Sequence, residues 1–167
     1  YDPLATADDG SCCYSSFGDV WNQIGEDIEG ENSYDRVAAN SLSDNGKILA
    51  VGSENAYNKG SVKIYEDING NWVQIGQEII GTDDYESFHE VSLSGSGNIL
   101  AIGASQFTIN EEVLGRISIY EYISGSWIQI GNDIYGENNG DNLGNYYNLS
   151  LNHNGDVLVV GLDQGDG

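Results

Sequence analysis

Most of the residues in this chain that could do chemistry are carboxylates. Asp8 and Asp9, with the carbonyls around Gly10, offer the hard oxygen ligands that calcium takes, and Asp83, Asp84 and Glu86 form a second such group. Neither group has a complete ligand spacing. The reading set against calcium at Asp8 and Asp9 is a solvated acidic segment. Paired carboxylates such as Asp83-Asp84 and Glu111-Glu112 could serve glycoside hydrolysis, but a chain this acidic makes such pairs by chance. Two imidazoles are present, His89 and His153, in different parts of the sequence. Neither sits beside a nucleophile in a motif, and there is no G-x-S-x-G, P-loop, H-E-x-x-H or C-x-x-C. No catalytic residue is assigned, and His153 reads as a turn residue.

The two cysteines, Cys12 and Cys13, are adjacent. Neighbours bridge each other only through a strained ring. Either both stay reduced, or at least one pairs with a cysteine upstream of these residues. The second reading is preferred and implies an oxidising, extracellular compartment. The Asn148-Leu149-Ser150 sequon is a weak glycosylation signal.

The charge narrows the partners. The 167 residues carry 27 Asp and Glu against five Lys and Arg, a net of -22. Such a surface repels phosphate backbones and anionic headgroups, so nucleic acid is not an expected partner. Cations, neutral glycans and basic proteins are. Salt would screen the self-repulsion over about 10 Å or less. No apolar run reaches membrane-spanning length, so no membrane insertion is expected. No signal peptide is visible, and the first residue is not Met, so an upstream leader is compatible with the sequence.

What must position these side chains is a repeat. "WNQIGEDIEG" at Trp21–Gly30 returns as "WVQIGQEIIG" at Trp72–Gly81 and "WIQIGNDIYG" at Trp127–Gly136, at intervals of 51 and 55 residues. "SLSDNGKILAVG" at Ser41–Gly52 returns at Ser92–Gly103 and Ser150–Gly161, and "GSVKIYED" at Gly60–Asp67 returns at Gly115–Tyr122. A period near 50 points to stacked supersecondary units. Each unit reads as four strands: A (Val37–Ser43, Phe88–Ser94), an apolar B (Lys47–Ser53, Asn98–Ala104), an alternating C (Ser61–Glu66, Arg116–Glu121), and D from the Trp phrase. Gly46, Gly97 and Gly155 supply the A–B hairpin turns. Helical periodicity is absent. The expected fold is all-β: antiparallel four-stranded propeller blades, two complete, preceded by a last strand near Val20–Ile28 and followed by half of another; eleven strands do not close a ring of four to eight blades, so the expectation is either a fragment of a longer protein or self-assembly with further copies.

The units differ in length in two places. Unit two is longer between strands B and C, and the third Trp phrase is followed by a longer D–A connection. In an up-and-down blade both loops emerge on one rim, where recognition usually sits. Tyr57, Asn58, Phe107, Asp83, Asp84, Tyr146 and Tyr147 are the candidate binding residues of that rim.

The phrases W-x-Q-I-G-x-x-I-x-G, S-L-S-x-x-G-x-[IV]-L-A-[VI]-G and G-x-[VI]-x-I-Y-E resemble propeller repeats of large secreted or surface proteins of marine bacteria, algae and their viruses, and are loosely similar to FG-GAP blades of integrin α-subunit heads. The resemblance covers residues 20–167. It departs from FG-GAP at Gly52-Ser53 and Gly103-Ala104-Ser105, and the Asp-x-Asp-x-Asp-Gly calcium loop is missing, so those calcium sites are not carried over. "YDPLATADDGSCCY" at Tyr1–Tyr14 is similar to half of an Asp- and Cys-rich extracellular module like thrombospondin type 3 repeats, in which an earlier Cys would pair with Cys12 or Cys13. The resemblance implies a linker or module end over residues 1–16 and blades over 17–167. It implies an extracellular, non-catalytic surface or filament protein mediating adhesion, assembly, or protein or glycan binding through the variable loops. The alternative is a glycan-active enzyme or accessory carbohydrate-binding domain with carboxylates in the same loops.

Overall fold

The computed structural model describes residues 14–17, 20–30, 35–54, 59–83, 86–145 and 149–162. Among them there is no helix, and hence none long and apolar enough to cross a membrane. Sixteen strand segments appear in chain order: β1 Tyr14–Phe17, β2 Val20–Gln23, β3 Val37–Leu42, β4 Ile48–Ser53, β5 Ser61–Asp67, β6 Trp72–Gln74, β7 Ile79–Ile80, β8 Phe88–Leu93, β9 Ile99–Ala104, β10 Thr108–Ile109, β11 Glu112–Val113, β12 Arg116–Ile123, β13 Ser126–Gln129, β14 Ile134–Tyr135, β15 Leu149–Leu151 and β16 Leu158–Val160.

Two complete units share one antiparallel topology, β3-β4-β5-β6 with β7 also on β5, and β8-β9-β12-β13 with β14 also on β12. Two half units flank them. β1 pairs with β2 as the third and fourth strands do, and β15 pairs with β16 as the first and second do. Strands A, B and C stand where periodicity put them. Strand D is interrupted in both units, because Gly76 (φ 70°) and Gly131 (φ 71°) take a left-handed backbone after the Gln-Ile pair. The chain bulges there and rejoins strand C three residues later, with Ile79 opposite Val62 and Ile134 opposite Ile117. The glycine of the Trp phrase is therefore a bulge residue. A strand at Tyr14–Phe17 also moves the expected boundary at residue 16, since Tyr14–Ser16 pair with Trp21–Gln23. Four residues with two serines between aromatics are too short to display alternation.

The units stack through their first strands, with β3, β8 and β15 side by side. Each contact is made the same way. The Leu93 amide donates to Ser41 Oγ at 2.9 Å, and the Leu151 amide donates to Ser92 Oγ at 2.9 Å. The Asp44 amide donates to Gly95 O at 3.0 Å and the Gly95 amide to His153 O at 2.9 Å, so the A–B turns are chained. Strand B fills the space between units. All six residues of β9 are buried, and Ala50 and Ala101 are fully covered by the following unit. One core cluster joins units one and two around Ile64, Val91, Leu100 and Trp127, and a second around Ile117, Leu143 and Leu149 reaches β15 and β16. Trp127 ties the outer strands: its ring meets Tyr122 at 5.0 Å, its Nε1 donates to Ile75 O at 3.2 Å, and Gln77 bonds both its backbone N and O.

Candidate functional site

The B–C and D–A connections come together at one edge, as the length variation suggests. The Gly81 amide donates to Gly60 O at 3.0 Å; the Gly140 amide to Val113 O at 2.8 Å; the Leu143 amide to Leu114 O at 3.0 Å. In the second unit the B–C connection folds into its own hairpin, β10–β11, turning on Asn110 and Glu111 with φ of 52° and 69°.

Each D–A loop is held from inside by a carboxylate. Glu86 Oε2 accepts from the amides of Thr82 and Asp83 at 2.7 and 3.3 Å, and Asp141 Oδ2 accepts from Glu137 and Asn138, both at 2.8 Å. Glu86 and Asp141 stand five residues after the glycines that close strand D, Gly81 and Gly136, and Asp35 stands at the same step after Gly30. This G-x-x-x-x-[DE] spacing is the sequence signal for the loop caps, hidden because no one of the four intervening positions holds the same residue in all three loops.

Glu86 Oε1 is bound by Arg116 Nη2. Glu86 is fully buried and Arg116 nearly so. The guanidinium also donates to Thr82 Oγ1 at 3.3 Å, lies 3.6 Å from Asp133 Oδ2, and rests 4.5 Å over the Phe107 ring. Phe107 in turn meets Tyr135 at 5.6 Å. Burial, then the charge of Asp133, pushes the Tyr135 hydroxyl above its ordinary pKa. The cluster clasps strand C to both connections and stiffens the edge.

Phe107 is thus a core residue, only 9% exposed, and does not belong to the exposed rim where the sequence placed it. Apolar neighbours and the Arg116 face draw it inward. Asp83 does stand at the edge, exposed, and Glu86 faces inward. Tyr57, Asn58, Asp84, Tyr146, Tyr147, Asp8, Asp9, Cys12 and Cys13 lie outside the described residues. Among the described residues no group of three or more His, Cys, Asp or Glu is arranged to hold a metal ion. What the edge presents to solvent is Thr82, Asp83, Asn110, Glu111, Glu112, Glu137 and Asn138, a polar acidic border suited to hydroxyl groups and cationic side chains.

His89 lies in a row that the sequence did not reveal. Its Nδ1 is 2.6 Å from Ser105 Oγ, and its Nε2 is 3.9 Å from Glu54 Oε1 of the preceding unit. A nucleophile must reach its substrate, and Ser105 is fully buried. The row is a tie between units. Burial pushes the His89 pKa down, against the pull of Glu54. Because the unfolded chain binds a proton that the folded chain resists, this contribution is full above about pH 6.5 and is lost as pH falls through the lower folded value. The urea midpoint is therefore expected to drop between about pH 7.5 and 5.5, and to drop less in His89→Gln, whose amide can keep the Ser105 bond. Equal drops in both would remove His89 from the account.

His153 does occupy a turn, and its Nδ1 also meets Asp44 Oδ2 at 2.6 Å. A small cleft of about 30 Å³ is lined by Ile28, Glu29, Gly30 and Asp35 and, from the first unit, by Val51, Lys63, Tyr65 and Glu78.

No protein-family model and no curated protein matches the chain in sequence. In structure it is similar to a chain of the solved complex of KlAtg21 with the coiled-coil of AgAtg16, with a TM-score of 0.53 at 16% identity over 74% of this chain. The likeness is one of fold alone, and this chain spans 36% of that chain's length. The class defined here is an all-β protein of stacked, repeated antiparallel sheets.

Proposed function

We propose that the repeated units are β-propeller blades of the FG-GAP-like kind, and that the chain is a non-catalytic, extracellular scaffold for adhesion or assembly. Its loop edge would bind a hydroxyl-rich glycan or a basic protein. The observation that carries this reading is the convergence of the two length-variable connections, B–C and D–A, on one edge, where the D–A loops are braced from within by the buried carboxylates Glu86 and Asp141. Such bracing lets loop tips change while the scaffold is kept, which suits recognition. The net charge of -22 favours neutral or cationic partners and an extracellular, salty setting.

The test is a binding screen of the immobilised chain against neutral glycans and basic proteins, repeated with Glu112→Lys and Glu137→Lys, which alter exposed tips only. Binding that is lost in these variants supports the reading. Binding insensitive to both would move recognition elsewhere, and turnover of a glycan would replace a scaffold with an enzyme.

A further inference from the structure

We infer that Asn69 is a site of self-modification, where the side-chain amide becomes a carboxyl, as Asp or isoaspartate, after attack by the backbone nitrogen of Gly70. The inference rests on the turns that join the strands and not on what the loop edge binds.

An Asn-Gly step favours this chemistry, because glycine has no side chain to hinder the approach of its nitrogen to the amide carbon. The chain has four such steps: Asn45-Gly46, Asn69-Gly70, Asn139-Gly140 and Asn154-Gly155. All four asparagines are exposed, so exposure does not separate them. Their hydrogen bonds do. Ring closure needs the Asn side chain to swing onto the next nitrogen, and the peptide between them to rotate.

At Asn45, Oδ1 accepts from Ser43 Oγ and from the Lys47 amide, both at 2.9 Å, and the Gly46 amide donates to Ser43 O at 2.8 Å. At Asn139, Oδ1 accepts from the Val113 amide and the Gly140 amide donates to Val113 O, both at 2.8 Å. Side chain and nitrogen are held in each. The Asn154 side chain makes no bond to a described residue, but the Gly155 amide donates to Asn152 O at 3.0 Å. Gly155 is also wedged against the preceding unit, where a Cβ on it would stand 2.8 Å from Ile99.

Asn69 differs on each count. Its side chain makes no bond to a described residue, and a Cβ on Gly70 would meet nothing within 4 Å. The two residues form the tip of the β5–β6 hairpin, with φ of 56° and 82°, closed by bonds between Ile68 and Asn71. The Gly70 amide donates to Asp67 Oδ1 at 2.7 Å. The other three glycine amides face carbonyls, whereas a carboxylate can take up the hydrogen as the nitrogen attacks. Lys47, 2.6 Å from Asp67 Oδ2, and then the Gly70 amide hold the Asp67 carboxyl below its ordinary pKa, so it is ionised at neutral pH. The second unit has Ser124-Gly125 at the same tip and Tyr122 in place of Asp67, so it lacks both groups.

The Gly70 nitrogen bonds to Cγ of Asn69 and the Cγ–Nδ2 bond breaks. Nδ2 leaves as ammonia with the amide hydrogen, which Asp67 relays. Water then opens the cyclic imide, at Cγ to give Asp and at the main-chain carbonyl to give isoaspartate. Either product adds a negative charge beside Asp67. Isoaspartate also lengthens the main chain within the turn that sets Asp67 opposite Trp72.

The test is storage of the folded 167-residue chain at mildly alkaline pH. Peptide mass spectrometry follows the amide-to-acid mass gain at each of the four steps, and enzymatic methyl transfer reads isoaspartate. Asn69 is expected to convert about tenfold faster than Asn45, Asn139 or Asn154. In concentrated urea, where the bonds are gone, the four rates should draw together. Asp67→Asn, whose amide can keep the Gly70 bond but cannot take its hydrogen, should slow Asn69 several-fold while circular dichroism stays that of the parent. Asn69→Ser, which copies the second unit's turn, should remove most of the isoaspartate. Equal rates at the four steps of the folded chain, a faster rate at any of the other three, or a rate that Asp67→Asn leaves unmoved would overturn the inference.

Discussion

Glu86→Ala is expected to destabilise the chain by about 3–5 kcal/mol, lowering the melting temperature by about 6–20 °C. The substitution strips a buried guanidinium of its closest carboxylate and leaves Asp133, 3.6 Å away, as its remaining acidic neighbour. It also frees the amides of Thr82 and Asp83, which the second carboxylate oxygen had accepted. Replacing both partners, Glu86→Leu with Arg116→Met, should recover part of the loss, because no unpaired charge then stays inside. A thermal melt of the single and double variants checks this. A shift of under 1 °C for Glu86→Ala would mean that water reaches the pair.

The second large effect belongs to the tryptophans, and its size should follow position in the stack. Trp127→Ala removes a side chain that is 2% exposed and held by Tyr122, Ile75 and Gln77, at an expected cost of about 3–5 kcal/mol. Trp72→Ala, at a half-buried site over Gly25, should cost less. Trp21→Ala should stay within about 0.5 kcal/mol, since its ring is 62% exposed. Urea unfolding of the three variants ranks them directly. Equal costs would mean that the repeated tryptophan serves its own unit and not the junction.

Strands A, B and C were legible because their signals are local. A six-residue apolar run such as "ILAIGA", too short for a helix and preceded by a Gly turn, reads as a covered strand, and the alternation of "SVKIYE" fits one half-buried face. The break in strand D was not legible, since a glycine between isoleucines in "QIGQEII" gives no sign that its φ is positive. The loop edge was found from length differences alone, but its chemistry was misplaced at Phe107. Whether an aromatic on a long loop turns outward depends on what lies beneath it. Here that is Arg116, which stands where the first unit has Ser61. The Glu86 and Asp141 caps are hard to see in the sequence because all three loops retain only the distance from a glycine to an acid, with no intervening residue common to all three. The Glu54–His89–Ser105 row joins two B–C connections and a first strand across two units, which no single-unit reading brings together.

The stacking of equivalent units through their first strands is the central claim, and amide hydrogen exchange at Leu93 and Leu151 tests it most directly. These amides point away from strand B, and each is bonded only to a serine hydroxyl of the preceding unit. Both are expected to be protected, and Ser41→Ala should release Leu93 while Leu151 stays slow. Exchange of Leu93 at the free-peptide rate in the parent chain, or no response to Ser41→Ala, would contradict it.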